Sequence, residues 1–472
     1  MSGLIAYGAY VPYNRLQRGE IAAVLGSGGG KGTRAVASYD EDTTTMGAEA
    51  ARTALRMLPT GVAPRQIYFA TASPAYLDKT NATAIHAALD LDEAALAVDM
   101  AGSVRSGVGA LVAANDAAVP TMAVLSDVRT GLPGGADERD GGDAAAAFVF
   151  AGSDGGAPVI AEVVATASST AEFLDRWRLP GDVVSRSWEE RFGEHAYGPL
   201  ADASFADALK QAGLTPDQLD HVVVAGMHAR AARTFAASCG ARKEVIADNF
   251  TATIGNTGTA QAGVMLAGVL DRAQPNETIA VVILADGVTT LVFKTTAAIA
   301  VHRAAKPVAA QIAAGNDALR YATFLSWRGM LDKEPPRRPD PDPPYAPPSS
   351  RREDWKFAFV GSRCDECGRR HLPPSRVCLG CRGVDAMTRE PMSDVPATVA
   401  TFTIDRLAFS PHPPLVFAVL DFDGGGRFRA QMTDIDPDEV KIGLRAEMTF
   451  RKFVTARGIH NYFWKGRPVR EG

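Results

Sequence analysis

Between Arg363 and Gly383 the chain reads RCDECGRRHLPPSRVCLGCRG. Two Cys-x-x-Cys pairs, Cys364/Cys367 and Cys378/Cys381, are separated by ten residues. Each pair can grip one tetrahedral Zn²⁺ from a tight turn, and the second pair closes the shell, which predicts a structural zinc ribbon. His371 lies between the knuckles and could compete as a ligand, but four thiolates already suffice. The competing arrangement is a pair of disulfides. The opening MSGLIAYGAYVPYNRL has no basic n-region and no apolar run of signal or membrane length, so free thiols and a cytoplasmic location are expected.

A ribbon of this size cannot organise 472 residues, and roughly two to four domains are expected. Across residues 1–300, short apolar strands alternate with Ala-rich helical stretches, the α/β pattern. Strands are predicted at Gly3–Tyr10, Gln66–Thr71, Ala95–Asp99, Thr121–Ser126, Ala145–Ala151, His221–Ala225 and Thr278–Ala285. Helices are predicted at Thr45–Met57, Asn81–Ala88, Gly107–Ala117, Ser204–Ala212, Ala229–Cys239 and Gly258–Ala273. The order occurs twice, with a break near Gly152–Pro158, which suggests two similar layered halves. Residues 301–355 read as a connector: an amphipathic helix over Asp317–Leu331, then the tether EPPRRPDPDPPYAPPSS (Glu334–Ser350), expected to be neither helix nor strand. The ribbon is assigned to 356–390. Five short alternating strands in 391–472, with a Gly424–Gly426 turn, suit a small OB-fold barrel.

Four segments of the first part resemble the thiolase superfamily, in its 3-hydroxy-3-methylglutaryl-CoA synthase and ketoacyl-ACP synthase III branch. They are SYDEDTTTMGAEAARTAL (Ser38–Leu55), FLDRWRLPGDVVSRSWEERFGEHAY (Phe173–Tyr197), VVVAGMH (Val222–His228) and IGNTGTA (Ile254–Ala260). The region from about Trp355 onward resembles a DUF35 protein, a zinc ribbon followed by an OB-fold. The resemblance implies a layered thiolase-like fold, a homodimer through the first part, a coenzyme A thioester as substrate or ligand, and a separate thiolase subunit as partner.

The family reaction needs a Cys to take the acyl group, and His and Asn to stabilise an enolate or oxyanion. His228 and Asn256 match the family's His and Asn. Without the resemblance, a lone His is more often structural, and a Gly-Asn pair more often a turn. In DMAGSVRSGVGAL (Asp99–Leu111) the family's Cys position falls on Val104, flanked by Ser103 and Ser106, and a one-residue slip would make Ser103 the equivalent. Serine is a poor substitute, because its hydroxyl stays protonated at neutral pH while a thiol is readily lowered to thiolate. The family's general-base Glu falls on Ala72. No cysteine precedes Cys239, which reads as a buried inert thiol. Arg105, Arg230, Arg233 and Lys243 are candidates for CoA phosphates, against the default of solvated helix faces. The run GSGGGKGT (Gly26–Thr33) lacks phosphate-loop spacing and reads as a flexible loop.

Two functions follow as expectations. One is a subunit of an acyl-CoA-processing assembly, with a degenerate synthase-like site and a DUF35 part that serves a partner thiolase. This resembles archaeal thiolase–synthase–DUF35 assemblies and the bacterial diacetylphloroglucinol acyltransferase. The other is an active enzyme, either a Ser103-dependent acyltransferase or one using only His228 and Asn256, as decarboxylation or retro-aldol cleavage would need. A net charge of −5 and the lack of a basic–aromatic strip argue against nucleic acid or an anionic membrane as partner.

Overall fold

In a computed structural model, which describes residues 2–152, 156–334, 342–408 and 410–470, the first part is built on one mixed sheet of nine strands. These are β1 (Ser2–Tyr10), β2 (Gln66–Thr71), β3 (Leu96–Ala101), β4 (Thr121–Asp127), β5 (Ala144–Gly152), β6 (Ala161–Ser169), β7 (His221–Gly226), β8 (Thr278–Leu284) and β9 (Val288–Thr295). Their order is β7-β8-β9-β6-β1-β5-β4-β2-β3. The seam between the wings is narrow: β1 and β6 pair only through Gly3–Glu162 and Leu4–Ala161. Outward from it, each wing runs through antiparallel strands to parallel ones, and β3 adds a second parallel pairing to the first wing, so the halves are similar but of five and four strands. Strands such as AAAAFVFAG (β5) and TIAVVIL (β8) are apolar throughout because helices cover both faces.

One face carries α2 (Arg105–Asp116) and α5 (Gln261–Leu270), all ten residues of α5 being buried. The other carries α1 (Thr43–Leu55) on the first wing and α3 (Glu190–Ala212) with α4 (Ala229–Ser238) on the second. A reciprocal capping box opens α1: Asp42 Oδ1 accepts from the Thr45 N–H, and Thr45 Oγ1 accepts from the Asp42 N–H, both at 2.9 Å. Small residues follow (Gly47, Ala48, Ala50, Ala51, Ala54), which lets α1 lie close to the sheet.

Three readings of the connector and loops are corrected. Asn316–Leu319 is a short strand beside Asn14–Gln17, and the helix is only Tyr321–Trp327. Leu319, Tyr321 and Phe324 are buried against Leu16, Ile21 and Val36, so tertiary pairing overrides the helical period. Within the proline-rich tether, residues 335–341 lie outside the described residues, but Ala346–Arg351 is a helical turn. Its prolines occupy the first turn, where a missing N–H leaves no intrahelical bond unmade. The glycine run is packed rather than free: the Thr33 N–H donates to Ala252 O (3.0 Å), and a Cβ on Gly32 would lie 2.2 Å from that oxygen.

The C-terminal part is a three-stranded ribbon followed by a closed barrel. The barrel comprises β10 (Ala397–Asp405), β11 (Leu415–Phe422), β12 (Arg427–Met432), β13 (Arg445–Ala456) and β14 (Ile459–Pro468), in the order β10-β11-β12-β14-β13. It rests on α1, and its core side chains Phe450 and Trp464 belong to the same apolar cluster as Met46 and Ala50. A buried ionic layer rings that contact. Arg467 meets Glu49 (2.9 Å), Lys465 meets Asp40 (2.9 Å), and Arg451 meets Glu41 (2.6 Å) and Asp434 (2.5 Å). Arg52, stacked on Trp464, reaches Asp394 at 2.8 Å. No helix among the described residues is long and apolar enough to cross a membrane.

Candidate active site and metal centre

The sheet delivers its chemistry at the ends of β3, β4, β7 and β8. His228 follows β7 and caps α4: its Nδ1 accepts from the Ala231 N–H at 3.0 Å, which puts the neutral ring's proton on Nε2. The ring is buried, and its Nε2 edge shares space with Asp175. A Cβ on Gly193 would lie 2.7 Å from His228 Nε2 and 2.8 Å from Asp175 Oδ1. Burial raises the Asp175 carboxyl above the usual range, while His228 and Arg176 draw it back down.

Asn256 sits on a loop held by backbone approach. Gly255 has φ +81°, and a Cβ there would lie 2.2 Å from Gly141 O. The Asn256 amide donates to Gly226 O (2.8 Å) and its Oδ1 accepts from the Gly258 N–H (3.0 Å). It therefore ties the loop to the end of β7. His228 and Asn256 line one cleft of about 700 Å³, together with Arg18, Arg139, Arg176 and Arg233.

Arg129, Asp175, Arg176 and Met227 are shared with an adjoining cavity of about 80 Å³. There Val104, at the start of α2, lies with Ser103, Ala72, Arg178, Tyr197 and Asp286. Position 104 thus stands where a helix N-terminus meets the cavity, but with an isopropyl group. Ser103 hydrogen-bonds Asp286, whose carboxyl is raised by burial and lowered by Arg105 and by that bond. Tyr197 Oη accepts from the Asp286 N–H at 3.2 Å. Cys239 packs among Phe235, Leu219 and Val222, and lines neither cavity.

The four candidate phosphate ligands part company. Arg105 braces α2 to the β8–β9 turn, donating to Ala285 O (2.8 Å) and Thr170 Oγ1 (2.9 Å). Arg230 pairs with Glu194 at 2.6 Å. Arg233 is exposed on the cleft wall, whereas Lys243 is exposed on a turn that lines neither cavity. Sequence reasoning missed Arg129, Asp175, Arg176, Arg178, Tyr197 and Asp286. Four of these lie inside Phe173–Tyr197, a segment singled out for its resemblance without roles being given to its charged residues.

The ribbon gathers all four knuckle cysteines. Their sulfurs lie within 4.8 Å of one another, with Cys364–Cys381 at 3.6 Å and Cys367–Cys378 at 3.5 Å. Four sulfurs each about 2.3 Å from one Zn²⁺ stand about 3.8 Å apart, so the set fits the ion. His371 is buried and hydrogen-bonds Cys378 from outside the set. Zinc bound here would cross-link the two knuckles and fix the ribbon.

Comparison with known proteins finds likenesses in both parts of the chain. Residues 357–388 match the family described as the ChsH2 rubredoxin-like zinc ribbon domain, and residues 390–451 the ChsH2 C-terminal OB-fold domain. A solved HMG-CoA synthase complexed with CoA superposes with TM-score 0.58 at 15% identity, covering 71% of this chain and 91% of that one. The 3-oxoacyl-[acyl-carrier-protein] synthase III of Aquifex aeolicus gives TM-score 0.51 at 18% identity, over 62% and 100%. These likenesses show a thiolase-like fold. In sequence, the hydroxymethylglutaryl-CoA synthase of Picrophilus torridus is 28% identical over 350 residues, 70% of this chain and 98% of the relative. That of Pyrococcus furiosus is 31% identical over 287 residues, 59% of this chain and 81% of the relative. With a relative above 30% identity matched over four-fifths of its length, this chain belongs to the hydroxymethylglutaryl-CoA synthase family, joined to a zinc ribbon and an OB-fold.

Proposed function

We propose that this protein binds acyl-CoA in the cleft at His228 and Asn256 without forming a covalent acyl-enzyme, and serves as a subunit of an assembly whose acyl transfer takes place on a partner thiolase. The observation that carries this reading is Val104. A valine at the mouth of α2 offers no nucleophile, and Ala72 beside it offers no general base. The remaining polar groups, His228 Nε2 and the Asn256 amide, suit polarisation of a bound thioester carbonyl, which needs no covalent step. The zinc ribbon and OB-fold support the partnership, since they match the domain pair described for ChsH2 and resemble DUF35 proteins that accompany thiolases. A homodimer through the first part completes the proposal.

The decisive experiment incubates the pure protein with short acyl-CoA donors, followed by intact mass and peptide mapping. A second arm identifies by mass spectrometry what co-purifies with the native chain. The expected result is no adduct and a co-purifying thiolase. An acyl group on Ser103, lost in Ser103→Ala, would show the chain to be an acyltransferase in its own right and overturn the reading.

A further inference from the structure

A further cavity, of about 270 Å³, lies where the barrel meets the sheet domain, and it shares no lining residue with the cleft at His228 or the small cavity at Val104. One wall is apolar, built by Ala9 and Val11 around the end of β1 and by Pro307 and Ala310 at the short helix Val308–Ala313. The other wall is charged, and its carboxylates are already paired. Glu49 meets Arg52 (2.6 Å) and Arg467 (2.9 Å), and Glu447 meets Lys306 (2.6 Å) and Arg467 (2.7 Å). Asp434 meets Arg451 at 2.5 Å, and its other oxygen is closed off from solvent. Arg470 on the same wall is different. Half-buried, it lies with its Cζ 3.6 Å from the centre of the Tyr13 ring and donates to the Asp434 backbone carbonyl. Among the described residues it meets no carboxylate, since that of Asp434 goes to Arg451. A guanidinium has five N–H donors, so most of those on Arg470 remain for another acceptor. Burial lowers the basicity of Lys306, and Arg467 presses the same way against the pull of Glu447, so a further anion beside it would ease the site.

We infer that this cavity binds a small organic anion, a short apolar body with one carboxylate head, the head on Arg470 and the body against Ala9, Val11, Pro307 and Ala310. The size agrees: a cavity of about 270 Å³ holds about nine water volumes of about 30 Å³ each, room for an acid of about six carbons but not for a coenzyme. Planar two-point pairing with a carboxylate is what a guanidinium does best, and the Tyr13 ring against its face holds that plane in place. Partial exclusion of water strengthens the pair. The site is separate from the acyl-CoA cleft and does not depend on that reading. A molecule seated here touches β1 and α1 on one side and β14 on the other, through Ala9, Thr53 and Pro468. It is therefore a ligand of the docked arrangement of barrel and sheet domain, and its binding stabilises that arrangement.

The test is saturation-transfer NMR on the full chain with two probes, hexanoate and its neutral isostere hexanamide, titrated separately. Hexanoate is expected to bind with a Kd below about 1 mM and about tenfold more tightly than hexanamide. In Arg470→Gln the two probes should bind alike. In Ala310→Phe, which fills the cavity and leaves every charge in place, the hexanoate signal should be lost. A melting curve on each variant separates loss of the site from loss of fold. Equal binding of the two probes by the native chain, or no transfer to either, overturns the inference. So does a preference for hexanoate that persists in Arg470→Gln, or a hexanoate signal that persists in Ala310→Phe.

Discussion

At the scale of single residues, position 104 separates a scaffold from a catalyst. The start of an α-helix favours negative charge through its exposed N–H groups, and a thiol there ionises more readily than a free one. Val104→Cys should therefore react with iodoacetamide at neutral pH at least tenfold faster than buried Cys239, read by peptide mapping with the ribbon's zinc retained. Equal labelling of the two thiols would mean that the N-terminus of α2 does not face the cavity as described. A second residue, Glu41, makes pH part of the barrel contact. Buried between Arg451, the Tyr10 hydroxyl and the Ser38 N–H, its carboxyl is pushed up to about 7 by burial, with Asp434 and Asp40 adding and Arg451 opposing. A raised carboxyl favours the protonated folded state. Its contribution is therefore full below pH 4.5, declines as pH rises toward 7 and is gone above it, a change of about 3 kcal/mol. Asp40 runs the other way. Burial would raise it, but Lys465 and Arg451 hold it at about 2, so its contribution is lost only below about pH 4. Glu41→Gln should flatten the fall in Tm between pH 4.5 and 7 and leave the acid limb in place. An unchanged slope in the variant would assign that titration to another group.

At the scale of elements, legibility in the sequence tracked how local the deciding interactions are. The barrel strands and the knuckles read directly, because alternation and Cys spacing are set within a few residues, and the barrel has the five strands expected of it. The strands β6 and β9 escaped, since AEVVATASS and VTTLVFKT mix Ser, Thr and Lys into runs that only their mutual pairing explains. Asp317–Leu331 was misread because its apolar period matches a helix while Leu16 and Val36 select a strand for its first turn. His228 and Asn256, which motifs name, line one cleft. Arg178 escaped notice, because its partner Ala72 lies 106 positions away. The ribbon makes its own prediction. Chelation at neutral pH should speed hydrogen exchange across Val360–Pro391 while β1, β5 and α5 keep their protection, and metal analysis should give one zinc per chain. Uniform loosening of the sheet on chelation would show that the metal supports more than the ribbon.

At the scale of the whole molecule, the barrel is a fixture and not an arm. Its ionic layer against α1 is buried, and removing one partner of the Lys465–Asp40 or Arg467–Glu49 pair leaves a charge without its counter-ion, about 3–5 kcal/mol each. A protease site inserted between residues 335 and 341 should accordingly be cut without separating the pieces: they should co-elute in gel filtration, also at high salt. Two separate peaks after cleavage would mean that the covalent link alone keeps the halves together. Any partner thiolase must therefore approach the faces of barrel and ribbon turned away from α1. That helix has twelve of its thirteen residues buried, with sheet on one side and barrel on the other. A substitution in it is judged twice, once by each neighbour, so the two halves of the chain are bound to drift together. A lineage that had joined them this way could not readily part them again, since division would leave Asp40, Glu41 and Glu49 on one piece facing water across an apolar helix, and Arg451, Lys465 and Arg467 on the other.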